Sequence, residues 1–363
     1  MGSLNILALN SGSSSLKFGL YRVDSTGAEK LLGESVATTE QADAITQVAS
    51  VLAASGMLPP DAIGHRIVHG GPALRQHCRI DDAVLRQLQA AVALAPLHAP
   101  AALALIRFAQ VHFPGVPQVA CFDTQFHVGL PDVARVLPIA RELQSAGIQR
   151  YGFHGLSLES IVRQLGNALP ENLVIAHLGN GASITALKAG LSIDTSMGMT
   201  PSGGVIMGTR SGDLDPGVLV YLMREKNFDA ARLEALVDQR SGLLGISGLS
   251  SDMRRLHEAA ASNSDARLAI EMFCYSVRKQ VAAMLAVLGG LDMLVFTGGI
   301  GENDARVRAE ICAGLAWIGI SLDESRNSAV SSPISDGASR CQVLVLASQE
   351  DEQIARHAWA LFA

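Results

Sequence analysis

A strand–turn–strand pattern with a small, polar turn occurs twice in the sequence, and it constrains the fold more than any other feature. The first copy, 5–23, joins two apolar runs through a turn that holds three serines at 13–15 and a lysine, Lys17. The second copy, 172–195, repeats apolar strand, Gly/Asn/Ser turn and apolar strand. Glycine and serine let an anion approach the backbone closely, and a lysine adds a point charge for a phosphate. The repeat therefore predicts a duplicated α/β domain with two phosphate-facing hairpins in one cleft.

Length and composition favour a globular protein of two domains. The chain has 363 residues, of which 48% are hydrophobic and 17% charged, enough for a large core. A net charge of −6 without a basic stripe gives no support to a nucleic-acid partner. The five cysteines are scattered and form no C-x-x-C pair, so neither a cysteine zinc site nor a disulfide framework is indicated.

No targeting or membrane segment is predicted. The N-terminus lacks the basic segment and cleavage signal of a secretory peptide. The apolar run 281–288 is interrupted by two glycines at 289–290 and by Asp292 before it could span a bilayer. A cytoplasmic protein without a membrane partner is therefore expected.

Two charged residues in the first half lie in or after predicted strands. Arg66 lies within an apolar strand, 62–68, and an arginine there needs a partner because an unpaired buried charge is costly. That partner is either a structural carboxylate or a ligand. Asp123 is presented by the apolar segment 117–127, which we interpret as a buried strand. Ligand groups cluster at the carboxyl ends of strands in α/β sheets, so Asp123 is a candidate base or metal-orienting group, or else a helix N-cap.

Two further candidates lie in glycine-rich turns. His154 lies between glycines in Tyr-Gly-Phe-His-Gly, which predicts an exposed residue with a flexible backbone, suited to a ligand contact. The segment 203–209 imitates a P-loop but has Thr-Arg where Lys-Ser/Thr is required, so it is not a Walker A motif. Arg210 can still clamp a carboxylate or a phosphoryl group. Asp213 and Asp215 either hold that arginine, bind a metal, or form a turn.

The last third of the chain adds a strand, a glycine loop and an acidic turn. The strand 294–297 leads into Gly298–Asn303 and then a helix from about Asp304, an arrangement that binds phosphate or nucleotide at a helix N-terminus. The loop lacks the third glycine and downstream acid of a dinucleotide fingerprint, so NAD is not expected. The acidic turn 348–352 supplies either favourable dipole charges or a metal-binding carboxylate. The local features together indicate phosphoryl transfer.

Segments in order from the first strand to the last resemble the acetate kinase family of carboxylate phosphotransferases. They cover nearly the whole chain, at 10–17, 64–71, 95–98, 122–127, 150–155, 177–183, 194–198, 207–213, 241–254 and 297–303. The resemblance implies the fold of the acetate and sugar kinase, heat-shock chaperone and actin superfamily, with two duplicated ribonuclease-H-like domains around a cleft and usually a homodimer. The implied domains are 1–150, joined by the C-terminal helix 350–363, and a nucleotide-binding domain, 151–349.

The reaction that the resemblance implies is ATP + acetate ⇌ ADP + acetyl phosphate, with Mg²⁺ or Mn²⁺. Arg66 and Arg210 would hold the carboxylate and the transferring phosphoryl group, and His154 would bind its equatorial oxygens. Asp123 would orient the acetate, because a carboxylate nucleophile is already ionised at pH 7 and needs no strong base. The two domains are expected to close over the substrates and exclude water.

The remaining site residues are also carried over from the family. Glu350 would hold the metal ion together with Asn10. The small apolar pocket for the acyl methyl group would be formed by Val68, Leu97, Phe153 and Pro201, with Arg66 beside it. The nucleotide and its phosphates would lie by Lys17, His177, Leu178, Gly179, Asn180, Gly181, Asp252, Met253, Arg254, Gly299, Ile300, Gly301, Glu302 and Asn303.

The chain departs from the family pattern at Ala99, at Ser202-Gly203 and at Ser348-Gln349, and these departures bear on acyl preference and metal binding. A propionate or butyrate kinase is the close alternative, since one methylene in an apolar pocket separates substrates by only about 1–3 kcal/mol. The same fold could also serve as a nucleotide-gated binding module or an acetyl phosphate sensor.

Overall fold

The computed structural model describes residues 2–11, 15–37, 41–56 and 59–362. The predicted phosphate-facing serines Ser13 and Ser14 lie outside the described residues, as does the side chain of Ser15. The strands are β1 (Leu4–Ser11), β2 (Ser15–Val23), β3 (Ala28–Ala37), β4 (Ala62–Ile67), β5 (Cys78–Arg79), β6 (Gln118–Phe122), β7 (Asn172–Leu178), β8 (Ala182–Lys188), β9 (Leu191–Thr195), β10 (Met293–Thr297) and β11 (Gln342–Val345).

The helices are α1 (Gln41–Ala54), α2 (Asp82–Ala90), α3 (Ala99–His112), α4 (Asp132–Arg135), α5 (Arg141–Ser145), α6 (Gly155–Leu165), α7 (Pro216–Lys226), α8 (Ala230–Gln239), α9 (Gly242–Ser247), α10 (Met253–Ala259), α11 (Ser264–Leu288), α12 (Gly298–Asn303), α13 (Ala305–Ala313), α14 (Glu324–Ala329) and α15 (Glu350–Ala360). Single 3₁₀ turns occur at Val92–Leu94, Gln125–His127, Gly166–Ala168 and Ala316–Ile318. No helix of the described ranges combines the length and the apolar content needed to cross a membrane.

The chain divides into two compact units. Unit 1 comprises Met1–Val128, Phe153–Gln164 and Gln349–Ala363, and unit 2 comprises Gly129–Gly152 and Leu165–Ser348. The predicted domains, 1–150 with 350–363 and 151–349, are duplicated evolutionary domains, whereas the units are defined by compactness. The predicted domain boundaries therefore stay a prediction.

The sheet of unit 1 has the strand order β3-β2-β1-β4-β6-β5. Strand β1 pairs antiparallel with β2 and parallel with β4, and β4 pairs parallel with β6. Residues 6–9 are fully buried on both faces, as expected of a central strand that reads as a continuous apolar run. Leu7 and Leu9 pack into a core with residues of α1 and α3, whereas Ile6 and Ala8 pack with residues of α6 and α15.

Unit 2 repeats this topology with the strand order β11-β10-β7-β8-β9. Strand β7 pairs antiparallel with β8 and parallel with β10, and β10 pairs parallel with β11. Strands β1, β2, β3, β4 and β6 therefore correspond to β7, β8, β9, β10 and β11. The predicted α/β fold of two duplicated ribonuclease-H-like domains is confirmed.

Strand β6 is shorter than the predicted strand 117–127, because the backbone turns immediately after Phe122. The N–H of Asp123 donates to the carbonyl oxygen of Ile67 on the neighbouring chain segment, at 2.9 Å, and a 3₁₀ turn follows. Asp123 thus lies directly after the strand end. The predicted helix 83–95 is also shorter, because α2 ends at Ala90.

The long helix α11 has the predicted bounds but a different N-cap. The side chain of Asn263, and not that of Ser264, accepts from the backbone N–H groups of Asp265 and Ala266. Asparagine satisfies these otherwise unpaired donors as well as serine does. At the other end Gly289 has φ 74° and forms the left-handed C-cap that the sequence predicts.

Candidate active site

Arg66 and Asp123 form a buried ion pair at the carboxyl ends of β4 and β6. The Nε and Nη2 atoms of Arg66 donate to Oδ2 of Asp123 at 2.9 and 2.7 Å. The side chain of Asp123 is 1% exposed and that of Arg66 is 15% exposed. The two strands are parallel neighbours that pair Arg66 with Cys121, so the sheet itself brings the two side chains together. The partner that the sequence required for Arg66 is therefore Asp123.

The second carboxylate oxygen of Asp123 is poised for a ligand. Both contacts from Arg66 go to Oδ2, and the buried Oδ1 has no hydrogen-bond partner among the described residues. Buried acceptors are nearly always satisfied, so such an atom points to a ligand. Burial raises the pKa of Asp123 to about 6, against the opposing charge of Arg66. Burial disfavours the Arg66 cation, but the charge of Asp123 outweighs this and raises the pKa of the guanidinium.

Asn10, Glu350 and Asp351 form a second polar group beside this pair. The Nδ2 atom of Asn10 donates to Oε2 of Glu350 and to Oδ1 of Asp351, both at 2.9 Å. The Oδ1 atom of Asn10 accepts from Nη1 of Arg66 at 3.3 Å. The structure therefore brings the predicted metal residues, Asn10 and Glu350, into contact with each other and with Arg66. Helix α15 begins at Glu350, so both acids lie in its first turn, where the helix dipole favours negative charge.

Asp351 was not among the predicted site residues. It is held by Asn10, and burial, its largest influence, raises its pKa. Lys17, which is exposed, lies close enough to Asp351 to lower that pKa in part. The acidic run 348–352 gave a signal for a carboxylate at this position, but the choice of Asp351 depends on how α15 packs on β1.

These residues fit a hard divalent cation. Three carboxylates, from Asp123, Glu350 and Asp351, lie around one arginine, so the group carries excess negative charge. All of the available ligands are oxygens, which Mg²⁺ prefers in proteins. Oδ1 of Asp123, which no described residue contacts by a hydrogen bond, supports the same interpretation.

His154 is buried and strained, which corrects the prediction that it is exposed with a flexible backbone. It is only 7% exposed and has φ 61°. Non-glycine residues at positive φ store strain and concentrate at functional sites. The following residue fixes it in place: the N–H of Gly155 donates to the carbonyl oxygen of Asp123 at 2.8 Å, and a Cβ on Gly155 would lie 2.4 Å from that oxygen. His154 is thus anchored to the same turn as Asp123.

The residues predicted for the acyl pocket belong to both units. In unit 1, Val68 and Phe153 are buried, Leu97 is exposed, and the ring of Phe153 contacts His69 edge-on at 5.5 Å. Pro201 lies in unit 2, where it is buried and its carbonyl oxygen accepts from Nη1 of Arg210 at 3.3 Å.

Arg210 is buried in unit 2 within a loop that close backbone contacts hold. The N–H of Met207 donates to the carbonyl oxygen of Arg210 at 3.2 Å, and a Cβ on Gly242 would lie 2.2 Å from the carbonyl oxygen of Met207. Asp215 accepts from the backbone N–H of Gly217 at 2.9 Å as the N-cap of α7, so the turn alternative is correct for it. Asp213 accepts from the backbone N–H of Gly204 at 2.7 Å, nine residues earlier, and so joins two parts of this loop.

The two glycine turns of unit 2 lie side by side because their strands are parallel neighbours. The register pairs Thr297 with His177, which places Gly298 against Leu178. Gly298 has φ 78°, and a Cβ there would lie 2.8 Å from the carbonyl oxygen of Leu178. Backbone and side-chain hydrogen bonds shape both turns: Gly179 N to Gly181 O at 3.0 Å, Gly208 N to Asn180 O at 3.1 Å, Gly298 N to Glu302 Oε1 at 2.9 Å, and Asn303 Nδ2 to Gly299 O at 2.9 Å.

The third predicted nucleotide segment is joined to these turns through α10. Asp252 is its N-cap and binds Arg254, whose side chain is exposed, while Met253 is buried. On the same helix, Nε2 of His257 contacts Oδ2 of Asp304 at 2.9 Å. Asp304 caps α13, the helix that follows α12. Segments 252–254 and 298–303 are therefore tied together.

Arg308 was not among the predicted site residues, and it stabilises the glycine helix α12 through hydrogen bonds to its carbonyl oxygens. This fully buried residue donates from Nη1 to the carbonyl oxygens of Gly301 and Glu302 at 2.9 and 3.0 Å. Its other donors go to the side chain and carbonyl oxygen of Asn327. Arg308 alternates with apolar residues, Val307 and Ala309, and this pattern gave no signal that the arginine itself is buried.

Two sheets of one topology, one ending in a buried charge cluster and the other in glycine turns, define a phosphotransferase of the acetate and sugar kinase, heat-shock chaperone and actin class. The family model described as the acetokinase family matches residues 27–356. The chain therefore belongs to the acetokinase family.

Relatives match over nearly the whole length. An acetate kinase from Methylocella silvestris is 42% identical, covering 98% of this chain and 97% of the relative. Among solved structures, a propionate kinase from Francisella tularensis has a TM-score of 0.89 at 37% identity, covering 99% of this chain and 100% of the other. An acetate kinase from Porphyromonas gingivalis has a TM-score of 0.84 at 35% identity, with 100% of both chains covered.

Proposed function

We propose that this protein is an acetate kinase, an enzyme that transfers a phosphoryl group reversibly between ATP and acetate to give ADP and acetyl phosphate. The observation that carries the proposal is the buried Arg66–Asp123 pair beside Asn10, Glu350 and Asp351. Within the described part of the chain, Oδ1 of Asp123 has no hydrogen-bond partner. This arrangement occurs in a chain of the acetokinase family that carries glycine turns suited to phosphate.

Unit 1 supplies the groups for the acyl substrate. Arg66 offers a planar cation to a carboxylate, and Asp123 fixes the orientation of that cation through two hydrogen bonds. The acetate carboxylate is ionised at neutral pH and attacks the γ-phosphorus directly, so Asp123 positions it and need not remove a proton. Val68 and Phe153 give apolar surface for the methyl group.

Glu350, Asp351 and Asn10 would hold Mg²⁺. When bound, the cation neutralises charge on the phosphate oxygens of ATP. The role of the protein here is to hold two carboxylates at the first turn of α15 and to orient them with the amide of Asn10. Lys17 adds a positive charge near the same acids.

Unit 2 supplies the nucleotide groups. The turns 179–181 and 298–303 are expected to bind phosphate oxygens through backbone N–H groups other than those of Gly179 and Gly298, which donate within the turns. The segment 252–254 lies on the helix tied to the second turn. Arg210 stabilises negative charge on the transferring phosphoryl group, and His154, held rigidly in unit 1, binds the equatorial oxygens of that group.

We also propose that the protein is a homodimer and is cytoplasmic. Helix α7 has no buried residue, and its apolar side chains Val218, Val220, Tyr221 and Met223 are between 41% and 54% exposed. A helix with this much exposed apolar surface fits an interface with a second copy. Light scattering after size-exclusion chromatography is expected to give a dimer that Tyr221→Glu dissociates, and a monomeric wild type would contradict the proposal. The cysteines are unpaired, which fits a reducing compartment.

A propionate kinase is the second candidate, favoured by the match to the Francisella tularensis structure. Trapping the acyl phosphate as a hydroxamate, with ATP, Mg²⁺ and acids from formate to butyrate, separates the two. We expect the greatest yield with acetate and its loss in Arg210→Ala. A maximum at propionate would keep the mechanism and correct the substrate. Absence of product with every acid would refute the kinase and favour a nucleotide-gated binding module.

A further inference from the structure

Two imidazoles and a carboxylate converge in unit 1, apart from the residues assigned above. Oε2 of Glu159, on α6, is 2.5 Å from Nε2 of His357, on α15, and 3.9 Å from Nε2 of His77, on the segment before β5. One ligand atom from each residue can be chosen so that all lie within 4.8 Å of one another. We propose that His77, Glu159 and His357 bind a transition-metal ion such as Zn²⁺, at a site distinct from that for Mg²⁺.

The donor set selects the class of ion. Two imidazole nitrogens and one carboxylate suit Zn²⁺, Co²⁺ or Ni²⁺, whereas Mg²⁺ prefers an all-oxygen shell. Ligand atoms of a tetrahedral zinc ion lie about 3.3 Å apart, given metal–ligand distances of about 2.0–2.2 Å. The two contacts to Glu159 lie on either side of this value, so small movements of the three side chains would admit the ion.

His77 presents an unsatisfied ring nitrogen to this cluster. Its Nε2 is buried and has no hydrogen-bond partner among the described residues. Its Nδ1 accepts from the backbone N–H of Phe122 at 3.0 Å, which fixes the ring so that Nε2 points towards Glu159. A metal at Nε2 would leave the ring proton on Nδ1 and cost the bond from Phe122. In exchange for that hydrogen bond, the ion would form three coordinate bonds, to His77, Glu159 and His357.

Nε2 of His357 has two polar neighbours, Gln353 and Glu159, and their requirements for a proton on that nitrogen conflict. The amide nitrogen of Gln353 lies 3.0 Å from Nε2 of His357, and the orientation of that amide is set because its oxygen accepts from Arg163. An amide donor requires a lone pair on Nε2, whereas the short contact to Glu159 requires a proton. Metal binding at Nε2 requires the ring proton to lie on Nδ1, and because protons compete with metal ions for imidazole nitrogens, affinity is expected to fall at low pH.

Charge and access both suit an ion. Burial lowers the pKa of His77, so the ring is neutral. Burial opposes ionisation of Glu159, but the hydrogen bond with His357 and the proximity of His77 outweigh it and lower the pKa of Glu159 to about 2. The side chains of Glu159 and His357 are 14% and 22% exposed, so both are reached by solvent, and water would complete the coordination of a bound ion.

Co²⁺ provides the direct test, because its visible absorption reports nitrogen and oxygen ligands. We expect metal-free full-length protein in Mg²⁺-free buffer to bind Co²⁺, and Zn²⁺ in competition with a chromophoric chelator, with a Kd of about 10 μM or lower. Affinity should fall at least about tenfold in His77→Asn, Glu159→Gln and His357→Gln, since loss even of outer-shell partners costs 10–100-fold. Binding should weaken as the pH is lowered from 8 to 6.

The matched control is His112→Gln, which removes an exposed imidazole on α3. It should bind the ion as the wild type does. Glu350→Gln should retain the imidazole-type spectrum, which separates this site from the predicted Mg²⁺ residues. Circular dichroism checks that each variant is folded, and the wild-type spectrum does not depend on any variant. Absence of binding in the wild type, or equal binding in all folded variants of the three residues, would overturn the proposal.

Discussion

Equivalent strand ends carry opposite chemistry in the two units. In unit 1, the ends of β4 and β6 carry the buried pair formed by Arg66 and Asp123, so the binding groups proposed there are charged side chains. In unit 2, the strand that corresponds to β4, β10, ends in the glycine helix α12, so the binding groups proposed there are backbone N–H groups. One duplicated topology therefore ends in either a charge cluster or glycine turns, depending on whether the residues at these ends are charged or lack a Cβ.

The comparison has an energetic side. A buried ion pair is costly to break, because removal of one partner leaves an uncompensated charge. A glycine turn at positive φ is costly to fill, because a Cβ collides with the neighbouring backbone. Each unit is therefore most sensitive to a different kind of substitution.

The largest effect is expected from Arg66→Ala. It should lower the rate of acetyl phosphate formation by at least about 10²–10³, the loss typical of removing one group that stabilises transition-state charge. At neutral pH it should also lower the free energy of unfolding by about 3–5 kcal/mol, because Asp123 loses its partner. The control is Arg22→Ala, which breaks an exposed pair with Glu29 and should cost less than about 1 kcal/mol. If urea unfolding gave the same loss of stability for Arg66→Ala and Arg22→Ala, the buried pair would contribute no more to stability than the exposed pair.

Gly298→Ala tests the glycine side of the comparison. Its φ of 78° and the approach of 2.8 Å to Leu178 O predict a loss of about 1–3 kcal/mol and a distorted α12. The KM for ATP should rise several-fold while the KM for acetate changes little. Gly290→Ala has no atom near the added Cβ and no positive φ, so it should behave as the wild type. A rise in the KM values for both ATP and acetate would contradict the assignment of nucleotide binding to unit 2 and acyl binding to unit 1.

A pH profile sharpens the same division. Burial raises the pKa of Asp123 to about 6, so the carboxylate becomes protonated in the folded state as the pH falls through that value. The log of kcat/KM for acetate should then fall with a slope approaching one below pH 6, about tenfold per unit. On linkage, the folded state binds this proton more tightly than the unfolded state, so ionisation of Asp123 weakens stability as the pH rises from about 4 to 6. An acid limb that persists unchanged in the residual activity of Asp123→Asn would assign it to another group.

Local sequence rules predicted those parts of the molecule that depend on neighbouring residues. The repeated strand–turn–strand segments follow from apolar runs and small turn residues, and the need of Arg66 for a partner follows from the cost of a buried charge. The burial of His154 could not be predicted, because its backbone is fixed by contact of Gly155 with the carbonyl of Asp123. Asp351 was missed because its contact with Asn10 requires α15 to pack on β1, far away in sequence.

The smallest expected effect concerns Asp351, whose role is to add charge to the oxygen cluster of unit 1. Asp351→Asn keeps an oxygen but removes one negative charge, so the Mg²⁺ concentration for half-maximal activity should rise about tenfold or less while kcat is nearly unchanged. Asp213→Asn is the matched change in unit 2, where the carboxylate accepts from the N–H of Gly204, and it should leave the Mg²⁺ dependence as it is. If the two variants shift the Mg²⁺ dependence equally, Asp351 has no specific effect on the cation. The difference between the strand ends of the two units would then affect folding and not metal binding. If only Asp351→Asn shifts it, the carboxylates at the start of α15 act together on the metal, and Asp351, beside the predicted Glu350, is part of the site.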